Sequence, residues 1–202
     1  MPSPANHGQW LFLLVFLLPG LAQAHPEGSD TGLINGLLHP VFGLDHLLAM
    51  VSVGVVSVQL GGSNVWRLPL TFVGAMTGGA ILGIQQVVLR GTELGIDVSV
   101  LVLGTSIVLA HRRTRPWAIT VLVGVFGACH GYAHGLEIPK SISPALYTLG
   151  FVIGTAVLHI LGMVVAEVAT MKTWLGQGLR LAGVAVAVSG AVFLVQTLAV
   201  PA

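Results

Sequence analysis

The chain has 202 residues, 54% of them hydrophobic and only 7% charged, with a mean hydropathy of +0.92. Soluble domains carry about a quarter charged residues, so an ordinary water-soluble domain is excluded and the composition reads as an integral membrane protein. A formal net charge of +1 gives no electrostatic case for nucleic acid, and the single cysteine, Cys129, excludes an intrachain disulfide. Histidine is the one excess: there are eight, as many as Lys and Arg together.

In chain order, Trp10 to Leu18 comes first, an apolar core too short for the roughly 20 residues of a membrane helix. Pro19 and Gly20 break it, and Ala22-Gln23-Ala24 fits a small-residue cleavage site. Residues 1–24 are therefore expected to be a secretory signal peptide, with His25 as the mature N-terminus. The leader holds no Lys or Arg, only His7 and the terminal amine, and the alternative is an uncleaved anchor. Residues 25–202 divide into six apolar runs, about 33–60, 66–89, 94–111, 116–135, 142–165 and 178–199, which predicts an all-α domain of six transmembrane helices. The connections are too short for a second domain, and no internal repeat stands out. Glycines inside the runs (Gly74, Gly78, Gly79, Gly83, Gly183, Gly190) are read as points of close helix approach.

Cleavage would leave the mature N-terminus outside, and six spans return the C-terminus to the same side. The inner connections then carry Arg67, Arg112, Arg113, Arg115, Lys172 and Arg180, the outer ones only Arg90 and Lys140. This agrees with the excess of positive charge on cytoplasmic loops, and His111 and Glu167 fall near the inner surface as solvated groups.

On that topology, three spans bring ionisable side chains to the outer side: His39, Asp45 and His46 on the first, Glu93 and Asp97 on the third, His130, His134 and Glu137 on the fourth. Ionisable groups inside a span cost a few kcal/mol each and normally face a bundle interior or a wet cavity. A bound cation in a shared hydrated pocket would offset that cost. His130 and His134 stand at i, i+4, one turn apart on one face, a spacing at which two imidazoles can hold one divalent ion; hydrogen bonding to neighbouring helices is the structural alternative. Glu137, three residues on, can be a third ligand or an entry carboxylate. His39 and His46 are seven residues apart, about 10 Å along an unbroken helix and too far for one metal. Pro40 and Gly43 lie between them, so either His39 precedes the regular helix and the chain bends back, or the two histidines serve successive positions on a path. Asp45 can reach a neighbouring helix, orient an imidazole, or simply favour a helix N-terminus. Glu93 and Asp97, also i, i+4, are either attracting carboxylates or ordinary helix-start acids. His159 lies deeper, in the fifth span, as a relay for an ion or a packing histidine. Cys129 is read as packing.

Two stretches, HPVFGLDHLLAM (39–50) and CHGYAHGLE (129–137), resemble the signature motifs of the HupE/UreJ family, small membrane proteins encoded with hydrogenase or urease genes and regarded as nickel permeases. Cys129 stands where that motif is expected to have an aromatic residue, a departure that touches only the packing beside His130. The resemblance implies Ni2+ as a transported substrate, with His39, Asp45, His46, His130, His134 and Glu137 as the metal site. It also implies a bacterial inner-membrane location and hydrogenase or urease maturation proteins as partners, with membrane lipid around the spans. Imidazole and carboxylate without a thiolate pair disfavour copper(I) and structural zinc, and leave Co2+ and catalytic Zn2+ beside Ni2+. No organic cofactor is implied, and no G-x-x-x-x-G-K-[ST] motif is present for ATP hydrolysis. Three rivals are a membrane metalloenzyme, for which no His-Glu-x-x-His occurs, a haem protein with histidine axial ligands, and a non-transporting metal-binding accessory protein. The expectation is that the chain is not an enzyme.

Overall fold

The computed structural model describes residues 31–109 and 115–199; the expected signal peptide, His25, His111, Arg112 and Arg113 lie outside the described residues. Within them the chain forms seven helices and no strand: α1 Thr31–Phe42, α2 Leu44–Leu60, α3 Asn64–Ile84, α4 Thr92–Leu109, α5 Pro116–Glu137, α6 Pro144–Thr170 and α7 Thr173–Ala199. Five of them, α3 to α7, are long and apolar enough to cross a membrane, and α1 with α2 passes the same test as one bent pair, giving up to six spans.

The first apolar run is therefore two helices, with an 83° change of direction at their junction. The expected bend between His39 and His46 is present, but His39 does not precede the regular helix. Pro40 lies inside α1, His39 belongs to the last turn of that helix, and the break falls at Gly43, whose backbone is extended (φ −84°, ψ 111°). Pro40 contributes no backbone N–H and weakens the turn before it, and Gly43, three residues later, is where the chain leaves the helix. The third helix also ends sooner than hydropathy suggests, at Ile84. Gln86 takes a left-handed conformation (φ 54°) and Val87 to Leu89 leave the helix. Those residues are held by a side chain instead: the Tyr132 hydroxyl donates to the Val87 carbonyl (2.7 Å) and accepts from the Leu89 N–H (3.1 Å). This clasp ties the α3–α4 connection to α5.

Helix α2 is the hub of the bundle and touches every other helix. It buries Ala49, Met50, Val53, Val55 and Val56 in the common core with Leu68, Phe72 and Met76 of α3, Val100 and Leu103 of α4, and Phe151 and Leu158 of α6. At the other extreme is α7, whose buried residues are only Gly183 and Gly190, where it meets α4. The rest of its length exposes apolar side chains such as Leu181, Val188 and Val195, as a helix facing lipid does.

The most intimate contact joins α3 and α5. Gly127, Gly131 and Gly135 recur every fourth residue of α5 and lie on the backbone of Phe72, Met76 and Ala80, while Gly79 and Gly83 of α3 lie on Ala128 and Tyr132. Small residues let membrane helices approach backbone to backbone, and a Cβ at these positions would overlap the facing carbonyl groups. Successive residues of a helix are about 100° apart. Committing the glycine face to α3 therefore turns His130 and His134, each one residue before a glycine, toward the other side. Gly79, Gly83, Gly183 and Gly190 are close-approach glycines, as read from the sequence; Gly74 and Gly78 face open space.

Gly131→Val should force α3 and α5 apart and cost about 1–3 kcal/mol, the usual range for overpacking, seen as a lowered unfolding midpoint in detergent. Gly74→Ala, with nothing against it, should leave the midpoint unchanged or raised.

Candidate metal centre

Four elements meet at one end of the bundle. The last turn of α1 supplies His39, the first turn of α2 supplies Asp45 and His46, the last two turns of α5 supply His130, His134 and Glu137, and α6 closes the group with Tyr147 and Phe151. The bend at Gly43 sets His39 and His46 against the same partner. Ring centroids lie 4.6 Å apart for His39–His134, 4.4 Å for His46–His134 and 4.8 Å for His46–His130. The two members of the i, i+4 pair thus share a face, and both meet His46.

The outermost group is His39, His134 and Glu137. Nε2 of His39 is 3.1 Å from Glu137 Oε2, Nδ1 of His134 is 3.7 Å from the same oxygen, and one ligand atom from each residue fits within a 4.8 Å spread. Two donors bonded to one ion at the 2.0–2.1 Å typical of zinc–nitrogen bonds are at most about 4.2 Å apart, so a small contraction would let the three share an ion. The His39 and Glu137 side chains are 39% and 52% exposed, against 2% for His134, and His130 is fully buried. Access thus narrows from His39 and Glu137 inward.

Asp45 turns back on its neighbour. Its Oδ1 accepts from the His46 backbone N–H (2.9 Å) and lies 2.8 Å from His46 Nδ1. With the proton on Nδ1, this hydrogen bond fixes the ring and leaves the Nε2 lone pair free. His130 is set the same way, its Nδ1 donating to the Phe126 carbonyl at 2.9 Å. Nε2 of His46 and of His130 and both ring nitrogens of His134 are then buried without a partner. A buried polar atom left unpaired costs about 1–3 kcal/mol, a cost that a bound cation would offset at the nitrogens that carry a lone pair. The rings pack edge to face, and beside them, lined by His134, Tyr147 and Phe151, is a cleft of only about 10 Å³. That cleft has room for about one water.

The other candidates divide. Glu93 is exposed and within electrostatic range of Glu137, Asp45, His46 and Asp97, which adds an acid to the rim. Asp97 is not a solvated helix-start acid: it is 6% exposed, with Oδ2 unpartnered. His159 does not join the outer rings; it is buried further along α6, 5.2 Å from the Phe72 ring. Cys129 sets its sulfur against Gly95 of α4, a packing role. Glu167 is exposed. Tyr147 and Phe151, which wall the group, were not singled out in the sequence, since aromatic residues in an apolar run carry no distinguishing signal.

Fold and polar cluster define a class: a multi-pass α-helical membrane protein with imidazoles and carboxylates gathered at one end of the bundle. The chain matches the family described as HupE / UreJ protein over residues 13–193, and it is 40% identical over 184 residues to Protein HupE of Rhizobium leguminosarum bv. viciae, covering 91% of this chain and 95% of that one. No solved structure matches. The chain belongs to the HupE/UreJ family, a family of transporter and accessory proteins of hydrogenase and urease systems and not of enzymes.

If α1 and α5 meet as described, His39→Cys and Glu137→Cys in a Cys129→Ser background should be bridged by a short bifunctional thiol reagent, detected as a linked peptide pair after proteolysis. A Glu137→Cys/Glu167→Cys pair should stay unlinked.

Proposed function

We propose that this protein is a permease that carries Ni2+ from the periplasm to the cytoplasm across the bacterial inner membrane, supplying hydrogenase or urease maturation. The observation that carries the reading is the convergence of His39, His46, His130, His134 and Glu137 from α1, α2 and α5 at one graded entrance, with imidazole lone pairs left unpartnered. Family membership supports it.

In this reading Glu93 and Glu137 raise the local cation concentration, and His39, His134 and Glu137 replace part of the hydration shell. The ion then passes to His46 and His130, with Asp45 holding His46 in its ligating tautomer. Binding has to be tight enough to select and loose enough to release. Imidazole and carboxylate donors suit Ni2+, with Co2+ and Zn2+ as its competitors. The membrane potential or a coupled ion drives the movement. Both mature termini lie in the periplasm after removal of residues 1–24, an orientation supported by the charge asymmetry of the loops.

The deciding experiment is nickel uptake by purified protein in proteoliposomes, with Co2+ and Zn2+ as competitors. Uptake that Ni2+ itself saturates is expected; metal binding without flux would instead favour a non-transporting accessory protein. His46→Ala should abolish uptake while the protein stays in the membrane, and Asp45→Asn should lower it about 10–100-fold, as loss of a ligand-orienting carboxylate does.

A further inference from the structure

Helix α6 presents a buried stripe at four-residue spacing: Tyr147, Phe151, Thr155 and His159, none more than 3% exposed. Each step advances about 6 Å along the helix. Tyr147 and Phe151 stand beside His39 and His134. One turn further in, the Thr155 hydroxyl lies between two sulfurs, 3.3 Å from Met50 Sδ and 3.6 Å from Met76 Sδ. Met50 is one turn past His46 on α2, and Met76 is one turn past Phe72 on α3. A turn beyond Thr155 is His159, with both ring nitrogens buried and unpartnered. The Phe72 ring is 5.4 Å from His130 and 5.2 Å from His159, so it sits between the outer histidines and the inner one. Three helices thus continue the line of donors inward, and the donors change character from imidazole and carboxylate to thioether, hydroxyl and imidazole.

We propose that Met50, Met76, Thr155 and His159 form a second, inner metal site, which the ion enters after the outer cluster and which turns back oxygen-seeking cations. This rests on the permease reading for the ion's direction of travel, but not for the site's existence. The acids at the entrance attract Mg2+ and Ca2+ as readily as Ni2+, so they cannot separate them. Mg2+ and Ca2+ require oxygen ligands, whereas thioether sulfur and imidazole nitrogen are donors for the later transition metals. None of the four inner residues carries a negative charge. A divalent ion is therefore held weakly there and moves on, as a conduction site requires. Methionine alone would be ordinary core filling. Two sulfurs sharing one hydroxyl, a turn from an imidazole with no partner, set this pair apart.

The test uses Met50→Leu/Met76→Leu, a swap that nearly conserves volume and normally preserves folding. In a Cys129→Ser background, Ag+ is titrated against purified protein, and Ag+ bound by the outer imidazoles, which parent and variant share, cancels in the comparison. The double variant should retain one equivalent of Ag+ fewer than its parent. Its nickel flux should fall about tenfold or more, the scale of loss when a metal loses supporting groups, with the KM for nickel unchanged because the outer cluster is intact. Equal Ag+ retention by the two proteins would overturn the site. Loss of one Ag+ with undiminished nickel flux would overturn its place on the path. Absence of flux in the unsubstituted protein would defeat the permease reading instead, and the Ag+ difference would still decide whether the site exists.

Discussion

The 83° change of direction at Gly43 puts His39 and His46 onto one partner, the His134 ring. In a straight helix they would be about 10 Å apart along the axis and would address different neighbours. The bend needs Pro40 to weaken the last turn of α1 and Gly43 to leave the helix, and it needs α6 to receive both halves. Gly36 of α1 lies on Tyr147 and Phe151, and Gly54 of α2 lies on His159. These contacts hold the two arms of the bend against one long helix. The polar cluster is thus a product of backbone packing before it is a matter of ligand chemistry.

Helix α5 divides the same labour between two faces. Its glycines take up α3 and its histidines take up α1 and α2, with the two kinds of residue adjacent in sequence. A substitution on the glycine face would act on the imidazoles without touching them, because a small rotation of α5 moves His130 and His134 together. Asp45 and Phe126 work at finer scale, each fixing one proton on one ring. The proposed route of the ion then follows the core of the bundle, where α2 meets its neighbours.

Much of this was readable beforehand, for identifiable reasons. Hydropathy located the helices because a span must be apolar along about 20 residues, and it misplaced ends such as 85–89 because a tyrosine clasp from another helix overrides local preference there. The i, i+4 spacing put His130 and His134 on one face, since helical periodicity is rigid. A bend between His39 and His46 was anticipated from Pro40 and Gly43, but His39 was expected before the regular helix and instead ends one: the pyrrolidine ring predisposes a helix to fail without fixing where. Asp97 could be read from its spacing as an attracting carboxylate or as an ordinary helix-start acid, and its burial was not legible, because burial depends on which helix arrives against it. Met50, Met76 and Thr155 were invisible, since sulfur in an apolar run has the same pattern as any core residue until three helices bring it to a hydroxyl.

The Tyr132 clasp has a mechanical consequence. It fastens the segment leading into α4, and so the approach to Glu93, onto the helix that bears His130 and His134. A tilt of α5 would therefore draw the segment before α4 along with it, so the spacing between the acidic lip and the rings would be kept.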